Sequence, residues 1–165
     1  MTPDFGRYVP LPAHKAEAGW DSVKGHRLAH DPCPNEADAA AVNAWVNQQV
    51  TYLLDPASWQ TPAETLAKRT GDCKDYAVLK RAILLAKGLP EDELFLVIGQ
   101  DMVMRELHAV MWTSGGVMDD MKDDLLSPDD LEEVFEPEFA FREGQSFVYG
   151  LRAPLPPPAP ADGAV

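Results

Sequence analysis

At 165 residues and 45% hydrophobic, the chain can bury one core and has no room for two. A formal charge of −13 leaves no basic patch for a phosphate backbone, which argues against a nucleic-acid partner. No apolar run approaches the ~20 residues a helix needs to cross a bilayer, so no membrane span is expected.

Residues 1–34 carry Pro3, Pro10, Pro12, Pro32 and Pro34 and are expected to form an irregular segment along the surface. No basic head followed by an apolar stretch opens the chain, so no secretory leader is visible. The cytoplasm is therefore favoured, with the periplasm as the alternative if a leader has been removed. Cys33 lies between Pro32 and Pro34, with no helix start to activate it, and reads as a bystander thiol. Two cysteines make no disulfide framework, and a Cys33–Cys73 bridge would disable Cys73.

From about Glu36 to Leu53, residues Val42, Trp45, Val46, Val50 and Leu53 recur at helical spacing, which predicts a first helix with Trp45 in its core. Thr61-Pro62-Ala63-Glu64 opens a second: an N-cap, a proline at the first helical position and a glutamate at the third. Trp59, just before that cap, is a candidate for lining a cleft. A third helix is predicted from Cys73 to Lys87, burying Val78, Leu79, Ala82, Ile83, Leu85 and Ala86, and stopped by Gly88 and Pro90.

The start of that third helix carries the chemistry. In Gly71-Asp72-Cys73-Lys74-Asp75-Tyr76-Ala77, Asp72 is positioned as cap and Asp75 as its reciprocal partner. Cys73 falls in the first turn, where free N–H groups and the helix dipole favour a thiolate, the nucleophile of cysteine hydrolases and acyltransferases. The two flanking carboxylates oppose it, so a base is required.

Strands follow. Leu94–Ile98 is a continuous apolar run, Leu107–Thr113 a second strand, and a turn at Gly115-Gly116 leads into Val117-Met118-Asp119. Asp119 to Glu143 holds eleven acidic and two basic residues and reads as a solvated, partly irregular segment. A last strand is expected at Phe147–Leu151, and the prolines beyond Ala153 predict a disordered or extended tail.

The base is His108, which shares a strand face with Val110 and Trp112. An even hairpin loop brings Asp119 to that face. A two-residue loop at Gly115-Gly116 sets it opposite Trp112, and a four-residue loop sets it opposite Val110, diagonal to His108. A three-residue loop flips the parity and selects Asp120. In the even case Cys73 attacks a carbonyl, His108 moves the proton and Asp119 orients the imidazole. Backbone N–H groups at the helix start can receive the oxyanion.

Over roughly Ala41 to Tyr149 the chain resembles the bacterial transglutaminase-like cysteine proteinases, relatives of periplasmic proteases that cut surface adhesins. Gly71-Asp72-Cys73-Lys74-Asp75-Tyr76, His108-Ala109-Val110, Val117-Met118-Asp119-Asp120 and Phe141-Arg142-Glu143-Gly144-Gln145-Ser146 carry the resemblance. It implies an α+β, papain-like fold, with the helical half packing the nucleophile helix on a small antiparallel sheet. It also implies a Cys73-His108-Asp119 triad. Adhesin-cleaving members bind calcium through acids around the cysteine, commonly in Asp-Cys-Glu-Asp. Here Lys74 takes the middle place and repels a metal, so no cofactor is expected and calcium is disfavoured. Together with the absent leader, this suits a cytoplasmic or phage-associated protein.

The expected organisation is thus an irregular segment (1–34), a peptidase-like domain (35–152) and a proline-rich tail (153–165). The expected function is thiol-dependent hydrolysis of a peptide or amide bond in a protein or peptide substrate. Acyl transfer to an amine, and a binding or structural module that keeps the fold without turnover, stay open beside it.

Overall fold

The computed structural model describes residues 2–152 and 157–160. In chain order it contains β1 (Tyr8–Ala13), α1 (Ala18–Val23), α2 (Ala39–Gln49), β2 (Thr51–Tyr52), α3 (Pro62–Lys68), β3 (Thr70–Gly71) and α4 (Cys73–Ala86). Then come β4 (Leu94–Asp101), β5 (Glu106–Thr113), β6 (Gly116–Asp119), β7 (Lys122–Leu126), α5 (Pro128–Glu132), β8 (Phe135–Arg142) and β9 (Gln145–Leu151). Seven strands make one antiparallel sheet in the order β1-β9-β8-β4-β5-β6-β7, while β2 and β3 form a short parallel pair. This is the expected α+β arrangement, with a helical N-terminal half set against an antiparallel sheet.

The helices begin where their caps dictate. Asp38 Oδ1 accepts from Ala41 N at 2.8 Å to start α2, which ends at Gln49 because Val50 turns extended and leads into β2. In α3 both halves of the capping box close, with Glu64 N bonded to Thr61 Oγ1 and Thr61 N to Glu64 Oε1. The helix stops at Arg69, a non-glycine residue in the left-handed region with φ 58°. Helix α4 is buried on nearly every side, from Tyr76 through Leu84.

Alternation along the strands builds two cores. On the helix side Leu94, Leu96, Met111, Met118 and Phe141 meet Val42, Val46, Leu79 and Ile83. On the other face Phe95, Val97, Val110, Trp112, Val117 and Phe135 pack with Phe5 and Phe147. Burying a side chain of this size contributes about 1.5–3 kcal/mol, so both faces stabilise the sheet. Trp45 packs at the margin of the helix-side core, as its spacing predicted, and Trp112 fills the opposite one.

Two regions depart from the sequence expectation. Residues 1–34 are not irregular throughout: they hold β1 and α1 and bury Phe5, Trp20, Val23 and Cys33. Pro10 and Pro12 do not prevent β1, because it is an edge strand and both fall between its hydrogen-bonded positions. Arg152 N donates to Arg7 O, and the register then puts the bonded pairs at odd numbers and the prolines at even ones. The acidic stretch contains β7, α5 and the whole of β8. Within β8, Phe135, Ala140 and Phe141 are buried, while a register shift between Ile98 and Gly99 of β4 accommodates the Glu136-Pro137-Glu138 stretch. Of the expected tail, residues 153–156 and 161–165 lie outside the described residues.

Candidate active site

Cys73 is the first residue of α4, and its entry is fixed by a polar corner. Asp75 Oδ2 accepts from Asp72 N at 3.0 Å and Oδ1 from Gln60 N at 3.0 Å. Burial raises the Asp75 carboxyl to about 6, against the pull of these two N–H groups. Asp72 turns its own carboxylate to the preceding loop, where Oδ2 accepts from Lys74 Nζ and Asp55 N. Lys74 Nζ also donates to Asp55 O at 2.7 Å, so it ties the loop to the helix start. Among the described residues, Asp72 Oδ1 is buried with no hydrogen-bond partner.

His108 and Asp119 reach the cysteine through the β5–β6 hairpin. Its loop is Ser114-Gly115, one residue earlier than the predicted two-residue turn, and Thr113 pairs with Gly116. Thr113 Oγ1 accepts from Gly115 N at 3.2 Å and donates to Gly116 O at 2.8 Å. The register Met111↔Met118 then carries Asp119 to a position opposite Val110, diagonal to His108. That is the alignment the sequence reading attached to a four-residue loop.

The three side chains meet at one point. His108 Nε2 lies 3.0 Å from Asp119 Oδ1, and the imidazole lines the same cleft as Cys73. With Nε2 committed to the carboxylate, Nδ1 is left for the sulfur. Ala109 N donates to Cys73 Sγ at 3.4 Å. Burial on its own would push the imidazole down, but Asp119 and Cys73 together hold it up to about 10. Asp119, though buried, is held well below the usual carboxylate range, first by the hydrogen bond from His108. His14, His26 and His30 lie on the N-terminal segment, and Cys33 is a buried free thiol.

Behind these residues stands a second set that the sequence reading missed or left as an alternative. Asp120 Oδ1 is 3.7 Å from His108 Nε2 and has no hydrogen-bond partner among the described residues, and burial raises its carboxyl to about 7. Asn47 Nδ2 donates to Asp119 O at 3.0 Å and Lys122 O at 2.9 Å. Asn43 Nδ2 donates to Lys122 O at 2.7 Å and Asp123 O at 2.9 Å. Lys80 is fully buried and is pushed down to about 7 by that burial, despite Asp120, Asp119 and Asp123 nearby. Helical spacing puts Asn43 and Asn47 on one face, but nothing in the sequence tied that face to a turn more than seventy residues away.

A cleft of about 430 Å³ opens over Cys73 and His108. Tyr52, Leu54, Pro56 and Trp59 line it on one side and Ile98, Glu106, Leu107 and Ala109 on the other. Trp59 is therefore a wall residue. Leu54 and Leu107 are about 60% exposed, which is unusual for leucine and marks the cleft as apolar and open. Among the described residues no helix is long and apolar enough to cross a membrane.

Comparison with known proteins agrees with this fold. Crystal-structure neighbours include LapG of Legionella pneumophila, at 23% identity and TM-score 0.61, over 67% of this chain and 66% of that chain. An EGTA-treated form of the same protein gives 23%, 0.61, 67% and 64%, and a calcium-bound form gives 22%, 0.59, 67% and 66%. The chain thus matches just under two thirds of the length of these relatives, a likeness that shows the fold. No curated protein sequence matches.

The expectation of no cofactor is overturned by the calcium-bound form, since a relative of this fold holds that ion. In the present chain the unpartnered Asp72 Oδ1 is the oxygen suited to a hard cation, with Asp55 O beside it under Lys74. A family model described as bacterial transglutaminase-like cysteine proteinase matches residues 16–133, and the chain belongs to that family.

Proposed function

We propose that the protein is a thiol peptidase that hydrolyses a peptide bond through an acyl-enzyme on Cys73. What carries this reading is the position of His108, hydrogen-bonded to Asp119 while the next residue, Ala109, donates its N–H to Cys73 Sγ, all lining one apolar cleft. His108, held charged, keeps on Nδ1 the proton that came from the thiol while Sγ attacks the carbonyl carbon, and gives it to the leaving amine as the C–N bond breaks. Water then attacks the thioester, losing a proton to His108, and the C–S bond breaks to restore the thiol. Asp119 holds the imidazole in the useful tautomer and balances its charge. The Cys73 N–H, at the first helical position where no intrahelical partner exists, faces the developing oxyanion.

Calcium belongs to this reading as a ligand of the corner beside Cys73. Asp72, through Oδ1, and Asp55, through its carbonyl, are the residues that would hold it, with Lys74 giving up its hold on both. When bound, such an ion braces the loop against the helix start. The substrate is a protein or peptide, and family membership is compatible with the periplasmic alternative.

Iodoacetamide labelling tests the proposal. Cys73 is expected to react at least tenfold faster than an ordinary thiol near pH 6, and His108→Ala to remove that advantage while Cys33 stays unlabelled in the fold. An ordinary rate that His108→Ala leaves untouched would sink the catalytic reading. Adding a primary amine during turnover then separates hydrolysis from transfer, because only transfer consumes the amine.

A further inference from the structure

Strand β5 is paired along its whole length on one side and along less than half of it on the other. Its partner β4 runs from Leu94↔Thr113 to Asp101↔Glu106, whereas β6 covers only Met111, Trp112 and Thr113. Among the described residues the segment Glu106 to Val110 therefore has a bare edge, and this edge lies beside Cys73.

The direction of its backbone groups follows from hairpin geometry. A two-residue loop is closed by a hydrogen-bonded pair, here Thr113 and Gly116. Bonded positions alternate along an antiparallel strand. Thr113, Met111, Ala109 and Leu107 thus turn their N–H and C=O groups away from β4, and Ala109 N confirms the parity by donating to Cys73 Sγ. Three main-chain groups are left facing the cleft: Leu107 N–H, Leu107 C=O and Ala109 C=O. The cleft wall agrees, because Glu106, Leu107, His108 and Ala109 all line it. Four consecutive strand residues line one space only when the strand presents its edge.

Bare edges invite pairing, and proteins usually guard them. The outer edges of this sheet are guarded, by Pro10 and Pro12 on β1 and by Lys122, Asp123 and Asp124 on β7. The edge of β5 carries no proline or lysine between Leu107 and Val110.

We propose that the polypeptide substrate docks as an added β-strand on the open edge of β5, held through its main chain by Leu107 and Ala109. This rests on the peptidase reading of the same cleft. Side chains of the docked strand meet Tyr52, Leu54 and Trp59 across the gap. Ala109 N is already on the sulfur, so the substrate residue opposite Leu107 lies about two positions from the reacting carbonyl, at ~3.3 Å per residue. The substrate class is accordingly an extended segment whose own backbone groups are free, such as an unfolded linker. A helix, with its N–H groups satisfied internally, does not qualify.

Leu107→Pro and Leu107→Ala separate main chain from side chain. Proline fits an edge strand when the missing N–H faces outward, as here. Unfolded casein serves as the probe, and its protection of Cys73 against iodoacetamide reports docking without requiring turnover. Casein should slow labelling in the wild type and in Leu107→Ala, and the protection should weaken roughly tenfold in Leu107→Pro, as expected for one lost backbone hydrogen bond. The labelling rate without casein should be equal in all three, which shows that the variants are folded around the thiol. Slowed hydrogen exchange of the Leu107 amide on adding casein supplies a check on the wild type alone. The docking proposal is overturned if wild-type Cys73 is not protected, if Leu107→Pro is protected as well as wild type, or if Leu107→Ala loses as much. Protection by casein without any cleavage fails the peptidase reading and leaves the docking intact.

Discussion

Asp120 shows how much one carboxyl can decide. It lies beside Asp119 and His108, its carboxyl raised from 3.8 to about 7, first by burial and then by the neighbouring Asp119. A folded-state value above the unfolded one means that the native protein binds the extra proton, so stability falls as pH rises from about 4 to about 7. Lys80, held down to about 7, changes charge above that window. Asp120→Asn should flatten this part of the pH profile and melt higher than wild type at pH 7.5, as thermal unfolding at a series of pH values will tell. Equal slopes for both proteins would remove Asp120 from the explanation. Lys74 yields a second expectation at this scale. Because its ammonium occupies Asp72 Oδ2 and Asp55 O, Lys74→Gln should enlarge the rise in melting temperature on adding calcium to EGTA-treated protein. No calcium response in either protein would count against the corner as a metal site. That Cys73, His108 and Asp119 come together was legible because the cap chemistry and strand parity that place them are local. Asp120 was legible only as an alternative, because its weight comes from burial.

At the scale of elements, the decisive contact is between α2 and the turn that follows Asp119. Asn43 and Asn47 hold four backbone carbonyl contacts there, so the helix sets the height of the carboxylate beneath His108. Asn47→Ala should cost about 0.5–1.5 kcal/mol, the net worth of the hydrogen bond lost at Asp119 O while Asn43 still holds Lys122 O, and should slow Cys73 labelling while His108 is intact. A lowered melting temperature with labelling unchanged would show that the helix supports the turn without aligning it. The helices were readable to within a few residues because caps and apolar spacing announce them. Strand β8 was not. Its acids, Glu136 and Glu138, alternate with residues packed inward, and summing charge over the whole stretch hides a period of two.

At the scale of the whole molecule, Arg81 fastens the N-terminal segment to the rest. Buried in α4, it lies 4.9 Å from the Trp20 ring centroid and donates to Lys24 O at 2.9 Å and Glu143 Oε1 at 3.0 Å. Arg81→Met keeps the bulk but drops these bonds, and the expected loss of about 2 kcal/mol corresponds to a melting point lower by roughly 4–8 °C. Calorimetry measures it directly, and a shift of less than a degree would mean that Trp20 packs well enough alone. The sequence reading could not find this fastening: a helix arginine is ordinarily solvated, and its partners lie far along the chain on either side. The pairing of β1 with β9 carries a consequence for how the molecule is made. Tyr8 finds its partner at Leu151, so the sheet closes across almost the full chain. Local helices and the β4-β5-β6-β7 meander can form as they emerge, but the first strand waits for the last. Until β9 arrives, its neighbour β8 is itself an uncovered edge, and the interval between synthesis and closure is when this protein is most exposed to pairing with the wrong chain.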